Sequence, residues 1–406
     1  MYVHLLKNNR NTRYYLLATS ISSLGNVMTG MALLFMAYEL TGSNLYTTGV
    51  AISQVLPYLL FGLVGGVIAD WIPKLRWMII FDLLRFPLLL ILVCLYQFEL
   101  LVYSHLIIIS ACIHLIGCFY NPAHRALIPF ITNEQERVIM NSLLDTVTRG
   151  ITVLGPIFSV VFIQTIGVIH FFSMDALTFL FSALLLTRLS LKEETKQKQE
   201  RSLKGIFIAI FEFLKWSYSH RIIRPLLCIT AIIVFFHTWV WQVGLLLLLN
   251  QNTSNGEEWY SFSLGVFGFV VILVNILIPF IIKKLTIGIY MIGSMIWGIG
   301  ILVIGVIPEV PFVLVGIVLA AMGLPVSGLA RIFLLQKYVP EAMLGRGFSV
   351  NAVILYFSNI LSLALFGFLS SYLTIETLFV VCGSAMVIFC MLYLFNEFRK
   401  KVGVIP

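Results

Sequence analysis

Apolar residues run through this chain in long blocks, parted by short clusters of Gly, Pro, Asn and charge. A bilayer core about 30 Å thick is crossed by about 20 residues of helix. Only helices and closed barrels satisfy every backbone group in lipid. Barrel strands would alternate apolar and polar at every second position, and these blocks do not. The pattern predicts twelve helices, over residues 13–40, 44–70, 76–97, 101–121, 139–165, 168–189, 222–249, 259–282, 287–307, 311–336, 345–370 and 375–396.

The longest polar stretch, LKEETKQKQERSLKG, runs from Leu191 to Gly205, near the midpoint. Behind it IFIAIFEFLKWSYSH is amphipathic and suits the inner membrane surface. Six predicted spans precede this stretch and six follow. The expected organisation is an N-terminal six-helix half over 1–190, a cytoplasmic linker with an amphipathic helix over 191–221, and a C-terminal six-helix half over 222–406. Both halves start on the same side, so they are parallel pseudo-repeats. A short echo joins them: Arg125 precedes Pro129 by four in RALIP, as Gln336 precedes Pro340 in QKYVP. An all-α membrane protein of two six-helix halves with a path between them describes a secondary transporter.

Composition removes the soluble alternative. The chain is 60% hydrophobic and 11% charged, where soluble domains are roughly half apolar and a quarter charged. The basic start, MYVHLLKNNRNTRYY, leads into an apolar run far longer than a signal core and reads as an uncleaved first span. All six cysteines lie in apolar segments without CxxC spacing. They are expected to be reduced hydrophobes, with no disulfide framework and no metal site.

Charge orients the spans. With a cytoplasmic N-terminus, Lys7, Arg10, Arg13, Lys74, Arg76, Arg125, Arg137, the bases from Arg188 to Arg224, Lys283, Lys284, Lys337, Arg346 and Arg399 to Lys401 all fall inside. The outward loops carry Glu99, Glu257, Glu258, Glu309 and Glu376 and no base. This obeys the positive-inside rule and places both termini in the cytoplasm. It also accounts for the net charge of +8: the bases are spread along one membrane face, so nucleic acid is not implied. The expected partners are a small-molecule substrate and membrane lipid, for a chain acting as a monomer.

An ionisable residue at membrane depth is a functional hypothesis by default. Asp82 and Arg85 can pair at i,i+3, and Asp145 and Arg149 at i,i+4; each pair is either a structural ion pair near the inner face or a proton switch. Asp175 reads as a helix N-terminal charge near the outer face. Arg331, a turn or two from the inner end of its span, either meets an anionic substrate group or snorkels inward. His237 titrates near neutral pH or is a hydrogen-bonded structural residue. The 14% aromatic content allows an adaptable cavity, for which Asn26, Met28, Phe35, Tyr38, His237, Trp239 and Arg331 are the candidates. No HExxH, P-loop lysine or Gly-x-Ser-x-Gly motif is present, so no enzyme, cofactor or ATP-driven pump is expected. Charge rings that would mark a channel are also missing.

The stretch GGVIADWIPKLR, Gly65 to Arg76, resembles the signature loop of the major facilitator superfamily, Gly-x-x-x-Asp-Arg/Lys-x-Gly-x-Arg/Lys-Arg/Lys. Gly66, Asp70 and Arg76 match and Lys74 supplies the other base one position early; Trp71 stands where a base is usual and Pro73 where Gly is usual. LPYLLFG, DLLR, NPAHRALIP, NSLLD, DALTFL and LQKYVPEAMLGR resemble the macrolide-efflux-like and enterobactin-exporter-like branch. The resemblance implies the major facilitator fold in a bacterial cell membrane. It implies proton-driven export of a drug, antibiotic, siderophore or small peptide by alternating access, with multidrug or antibiotic resistance as an outcome. The runner-up is an importer or lipid flippase of the same fold.

Within that frame Gly62 and Gly66 form a GxxxG face that lets another helix approach, and Asp70 lies one turn further along it. The helix expected to begin near Leu344 to Gly347 opens on the same membrane face. Its unpaired N–H groups carry about half a positive charge. An acid docked there would latch the two halves on the cytoplasmic side, with Lys74, Arg76, Arg125 and Arg346 in the same layer as an inner gate. The alternative is topological: the bases fix orientation and Asp70 caps a short turn.

Overall fold

A computed structural model of the chain describes residues 2–42, 44–191, 203–282 and 284–401, and every regular element among them is a helix. The polar run Lys192 to Ser202, Lys283 and the side chains of Glu257 and Glu258 lie outside the described residues. The helices are α1 (Tyr2–Asn8), α2 (Arg10–Thr41), α3 (Asn44–Trp71), α4 (Lys74–Gln97), α5 (Tyr103–Ile131), α6 (Glu134–Ile166), α7 (His170–Leu186) and α8 (Leu203–Ser219). They continue with α9 (Ile223–Trp239), α10 (Leu245–Asn252), α11 (Gly256–Ile281), α12 (Ile287–Val306), α13 (Val310–Tyr338), α14 (Leu344–Leu369) and α15 (Ile375–Lys401). Among the described residues ten stretches are long and apolar enough to cross a membrane, with α9 and α10 together forming one of them. The 17-residue apolar α7 and the 33-residue α6 complete a twelve-helix transmembrane fold.

Most boundaries fall within a few residues of the expected ones; the inner end of the fourth span does not. The pattern ended it at 121, before NPAHRALIP, yet α5 continues to Ile131 with Pro122 and Pro129 inside it. Proline inside a membrane helix is tolerated when neighbours take over the freed groups. Pro122 frees the Cys118 carbonyl, and Gly65 of α3 packs directly against that oxygen, where a side chain would clash. The true stop is a reciprocal cap. Asn133 Oδ1 accepts from Glu136 N at 2.8 Å, and Glu136 Oε2 accepts from Asn133 N at 3.1 Å, which closes the start of α6. The first span also starts earlier than expected: Asn9 caps α2 by accepting from Thr12 N at 3.1 Å, and α1 precedes it.

The chain forms two compact units. The first is Met1–Ser217 with Val339–Val353, the second Tyr218–Tyr338 with Ile354–Pro406. This division differs from the contiguous expectation of 1–190, 191–221 and 222–406. The helix α8, expected within a linker, belongs to the first unit: Ile206, Ala209 and Ile210 pack on Val64, Val67 and Trp71 of α3. The opening turns of α14 belong there too.

In the first unit α2, α4, α5 and α7 share two apolar cores, one around Leu33, Leu89 and Phe172, the other around Tyr15, Leu127 and Met140. In the second, α12 is gripped on two faces by close glycine contacts. Gly293 and Gly300 meet the backbone of α13 at Gly323 and Gly316, and Gly298 and Gly305 meet α15 at Gly383 and Glu376. Small residues allow this approach and the dispersion energy that replaces a hydrophobic drive in lipid. Between α9 and α10, Val240–Gly244 forms a π-turn. Gly244 there faces the rings of Phe379 and Trp239, where an added Cβ would sit 2.9 Å from each.

Candidate functional site

Three polar sites stand out in an otherwise apolar molecule. The first lies at the end of α3. Asp70 Oδ1 accepts from Gly345 N at 2.5 Å, and Oδ2 accepts from Arg346 N at 3.1 Å and Arg346 Nε at 2.9 Å. Both N–H groups belong to the first turn of α14, where no intrahelical acceptor exists, so the carboxylate fills that need and meets the positive end of the helix. The side chains of Asp70 and Arg346 are 1% and 4% exposed. Arg346 also donates to the carbonyls of Ala209 in α8 at 3.1 Å and Ala342 at 2.9 Å, and lies 3.8 Å from Glu212. One arginine thereby ties α14 to both α3 and α8.

The glycines make this crossing possible. A Cβ on Gly66 would stand 2.6 Å from the Gly345 carbonyl and closer still to Ser349 Oγ, and one on Gly345 would meet the Gly66 carbonyl. Gly62 is looser, with Val353 Cγ2 at 3.8 Å from its would-be Cβ. The other bases grouped with this gate are elsewhere. Lys74 is buried with its Nζ 5.3 Å from the Phe130 ring, Arg76 is exposed, and Arg125 lies within α5, half-buried and near Tyr15.

The second site is a cavity of about 270 Å³ inside the first unit. One wall is a polar stripe on α2, Thr19, Ser22, Ser23, Asn26 and Thr29; the others carry Tyr58, Arg85, His114, Asn121 and His124. His124 Nε2 and Thr19 Oγ1 lie 3.0 Å apart, and Asn121 Nδ2 donates to Tyr58 Oη at 3.1 Å. Arg85 lies over the rings of Tyr120 and Phe179, at 4.7 and 5.2 Å, a cation–π arrangement. Behind it Asp82 is fully buried, 3.6 Å from Arg85 Nη1, and accepts from Ser182 Oγ at 2.8 Å.

Asp175 belongs to this group and was misread from sequence. It is the sixth residue of α7 and 1% exposed, not a charge at the helix N-terminus. It accepts from Thr178 Oγ1 at 2.7 Å, packs against Gly25 of α2, and lies close enough to Asp82 and Arg85 to act on both. Asp175, Thr178, Phe179 and Ser182 share one face of α7, as the helical period requires. Two buried carboxylates thus stand in the field of one guanidinium, with Asp82 the one at ion-pair distance. Asp145 and Arg149 differ: bonded at 2.7 Å, they are 20% and 33% exposed.

The third site is a cavity of about 200 Å³ inside the second unit, lined by His237, Tyr290, Trp297, Ser327, Arg331 and Asn359 with apolar neighbours. The His237 ring stacks on Trp297 at 4.0 Å between centroids. Of the sequence's cavity candidates, Asn26 lines the first cavity and His237 and Arg331 the second. Met28 does not: it is 4% exposed in the apolar core with Leu33 and Phe172. Trp239 does not either: it is 1% exposed against Phe366 and Phe379, with its backbone N–H donating to Ser362 Oγ at 3.1 Å. Phe35 and Tyr38 are exposed on α2 and line neither cavity. The polar stripe on α2, recurring every three or four residues through an apolar helix, was the signal in the sequence for the first cavity. Trp297 carried no such signal.

Twelve spans, a capped helix end and polar cavities buried at membrane depth define a multi-pass membrane transporter of the major facilitator fold. The chain belongs to the family described as transmembrane secretion effector, within that superfamily: the family model matches residues 8–402. It is 23% identical over 408 residues to YfmI, an uncharacterized MFS-type transporter of Bacillus subtilis strain 168, covering 96% of this chain and 98% of that one. Among solved structures it resembles a bacterial homologue of the iron transporter ferroportin in an outward-facing state, with a TM-score of 0.75, 15% identity, and 96% and 99% of the two chains covered. It also resembles the E. coli fucose:proton symporter FucP, with a TM-score of 0.73, 12% identity, and 94% and 98% covered.

Proposed function

We propose that this transporter exports a small amphipathic molecule across a bacterial cell membrane by alternating access, driven by protons and with both termini in the cytoplasm. The observation that carries the reading is the pair of buried carboxylates, Asp82 and Asp175, in the field of Arg85 beside a polar cavity. At membrane depth an uncompensated negative charge is costly, so this group holds a proton in one state and releases it in another. Binding and release at that point shift the balance between two conformations. The partly exposed Asp145–Arg149 pair is the weaker carrier, because solvent already supports its charge.

The Asp70–Arg346 contact supplies the conformational half of the reading. It is a latch on α14, whose opening turns count with the first unit and whose remainder counts with the second. Outward direction is supported by the family's description as a secretion effector. The resemblance to the macrolide-efflux-like and enterobactin-exporter-like branch makes a drug, siderophore or peptide antibiotic the class to screen.

The test is proton release from acidified inverted vesicles. A compound that collapses the gradient only when the wild-type protein is present supports antiport. Asp82→Asn and Asp175→Asn should abolish the response, and Asp145→Asn should keep it. Gradient-independent transport would sink proton coupling; uptake in the opposite sense would make the protein an importer, and movement of labelled lipid a flippase.

A further inference from the structure

The two cavity arginines differ in one respect. Arg85 has the carboxylate of Asp82 on its own helix. Arg331 has no carboxylate within 4.0 Å among the described residues, and no acid lines its cavity. Arg331 stands seven residues before the end of α13 at Tyr338, roughly 10 Å of helix. Its Nε is buried without a hydrogen-bond partner; elsewhere the side chain hydrogen-bonds the Tyr290 hydroxyl and lies in the field of His237.

Polar atoms around it are left without partners. Trp297 is 4% exposed and its Nε1–H is buried with no partner, as is His237 Nδ1. Asn359 spends its Oδ1 on Thr238 Oγ1, at 2.5 Å, which leaves its amide N–H groups for the cavity. A guanidinium is the side chain suited to planar, bidentate recognition of a carboxylate or phosphate. A charge at membrane depth without a counter-charge is costly, and unmade buried hydrogen bonds, as at Arg331 Nε and Trp297 Nε1, add about 1–3 kcal/mol each. An anion satisfies all of these groups at once. The volume, about 200 Å³, is below the roughly 300–1,000 Å³ of pockets that enclose drug-sized ligands, so the cavity takes a head group and not a whole molecule. The flat His237–Trp297 stack and the apolar Ile233, Val234 and Leu324 give an adjoining ring or chain a surface.

We propose that the Arg331 cavity binds the carboxylate head of an amphipathic organic anion, the class of substrate this transporter carries. The proposal rests on the reading of the chain as a small-molecule exporter, but the site is tested by binding alone.

The experiment is titration calorimetry on the full chain in nanodiscs of zwitterionic phosphatidylcholine. The probes are naphthalene-2-carboxylate, its neutral alcohol naphthalene-2-methanol, and the corresponding naphthylmethylammonium. The carboxylate should bind saturably and at least tenfold more tightly than the alcohol, and the ammonium should not bind. Arg331→Gln should weaken the carboxylate at least tenfold, to the level of the alcohol, and leave the alcohol unchanged. Trp297→Phe should weaken the carboxylate severalfold. Equal affinity for the three probes, no saturable binding of the carboxylate, or unchanged affinity in Arg331→Gln would overturn the proposal. If Arg331→Gln does not elute as folded protein, Arg331→Lys decides. It keeps the charge and loses the fork, so a severalfold loss supports the site and an unchanged Kd overturns it. Anion binding without proton release would sink proton-coupled export and leave this site standing; proton-driven transport of neutral compounds without anion binding would do the reverse.

Discussion

Asp70→Asn isolates the latch with little change in shape. In the wild type the carboxylate accepts three hydrogen bonds, two from the first turn of α14 and one from Arg346 Nε, at 1% side-chain exposure. Hydrogen bonds to a charged group are worth about 1.5–3 kcal/mol and neutral ones about 0.5–1.5. The amide keeps one acceptor oxygen and turns the other into an N–H2 donor, so two bonds weaken by about 1 kcal/mol each and at least one is lost outright, about 3–4 kcal/mol in all. This agrees with the roughly 3–5 kcal/mol for breaking a buried ion pair, because Arg346 is left buried without its counter-charge. At about 1.4 kcal/mol per decade, the opening equilibrium of the contact should shift roughly 100-fold or more. The readout is amide hydrogen exchange on the peptide covering 341–353, since the Gly345 and Arg346 N–H groups are bonded to Asp70 itself. Exchange there should quicken by about two orders of magnitude, while the α12 peptide stays unchanged. Exchange within threefold of wild type in a folded Asp70→Asn protein would refute the latch.

Other expectations follow from the same geometry. Gly66→Ala should cost about 1–3 kcal/mol by overpacking and lower the thermal midpoint in detergent, whereas Gly62→Ala, with only Val353 Cγ2 at 3.8 Å, should not; equal effects would sink the close crossing. Ser182→Ala removes the 2.8 Å bond to buried Asp82 and should cost about 1–3 kcal/mol, measured as a lower thermal midpoint, with proton release altered in inverted vesicles. Arg346→Lys loses the bond to the Ala209 carbonyl, so exchange in the α8 peptide should rise, and unchanged protection of α8 would contradict the tie. A cysteine at exposed Ser254, between α10 and α11, should label from outside intact cells; labelling only after lysis would reverse the proposed topology.

What the chain declares by itself is its partition into spans. Burial in lipid depends on composition over about 20 residues, which is a one-dimensional property, and the long blocks of apolar residues carry it without reference to any neighbour. Local pairings are legible for the same reason: Asp82 with Arg85 and Asp145 with Arg149 follow from helical spacing alone. The end of α5 was not legible, because NPAH looks like a break until Gly65 is seen against the carbonyl that Pro122 frees. Helical phase was not legible either. Asn26 and Met28 stand about 200° apart on α2, as His237 and Trp239 do on α9, and only the packed neighbours decide which faces a cavity and which the core. The sequence could mark Asp70 by its motif. That Arg346, 276 residues away, closes on it, that Asp175 lies in the field of Arg85, and that Arg331 faces no acid were decided by tertiary structure alone. Each depends on which distant helices meet, and a charge's partner is set by distance in space, which the order of residues does not encode.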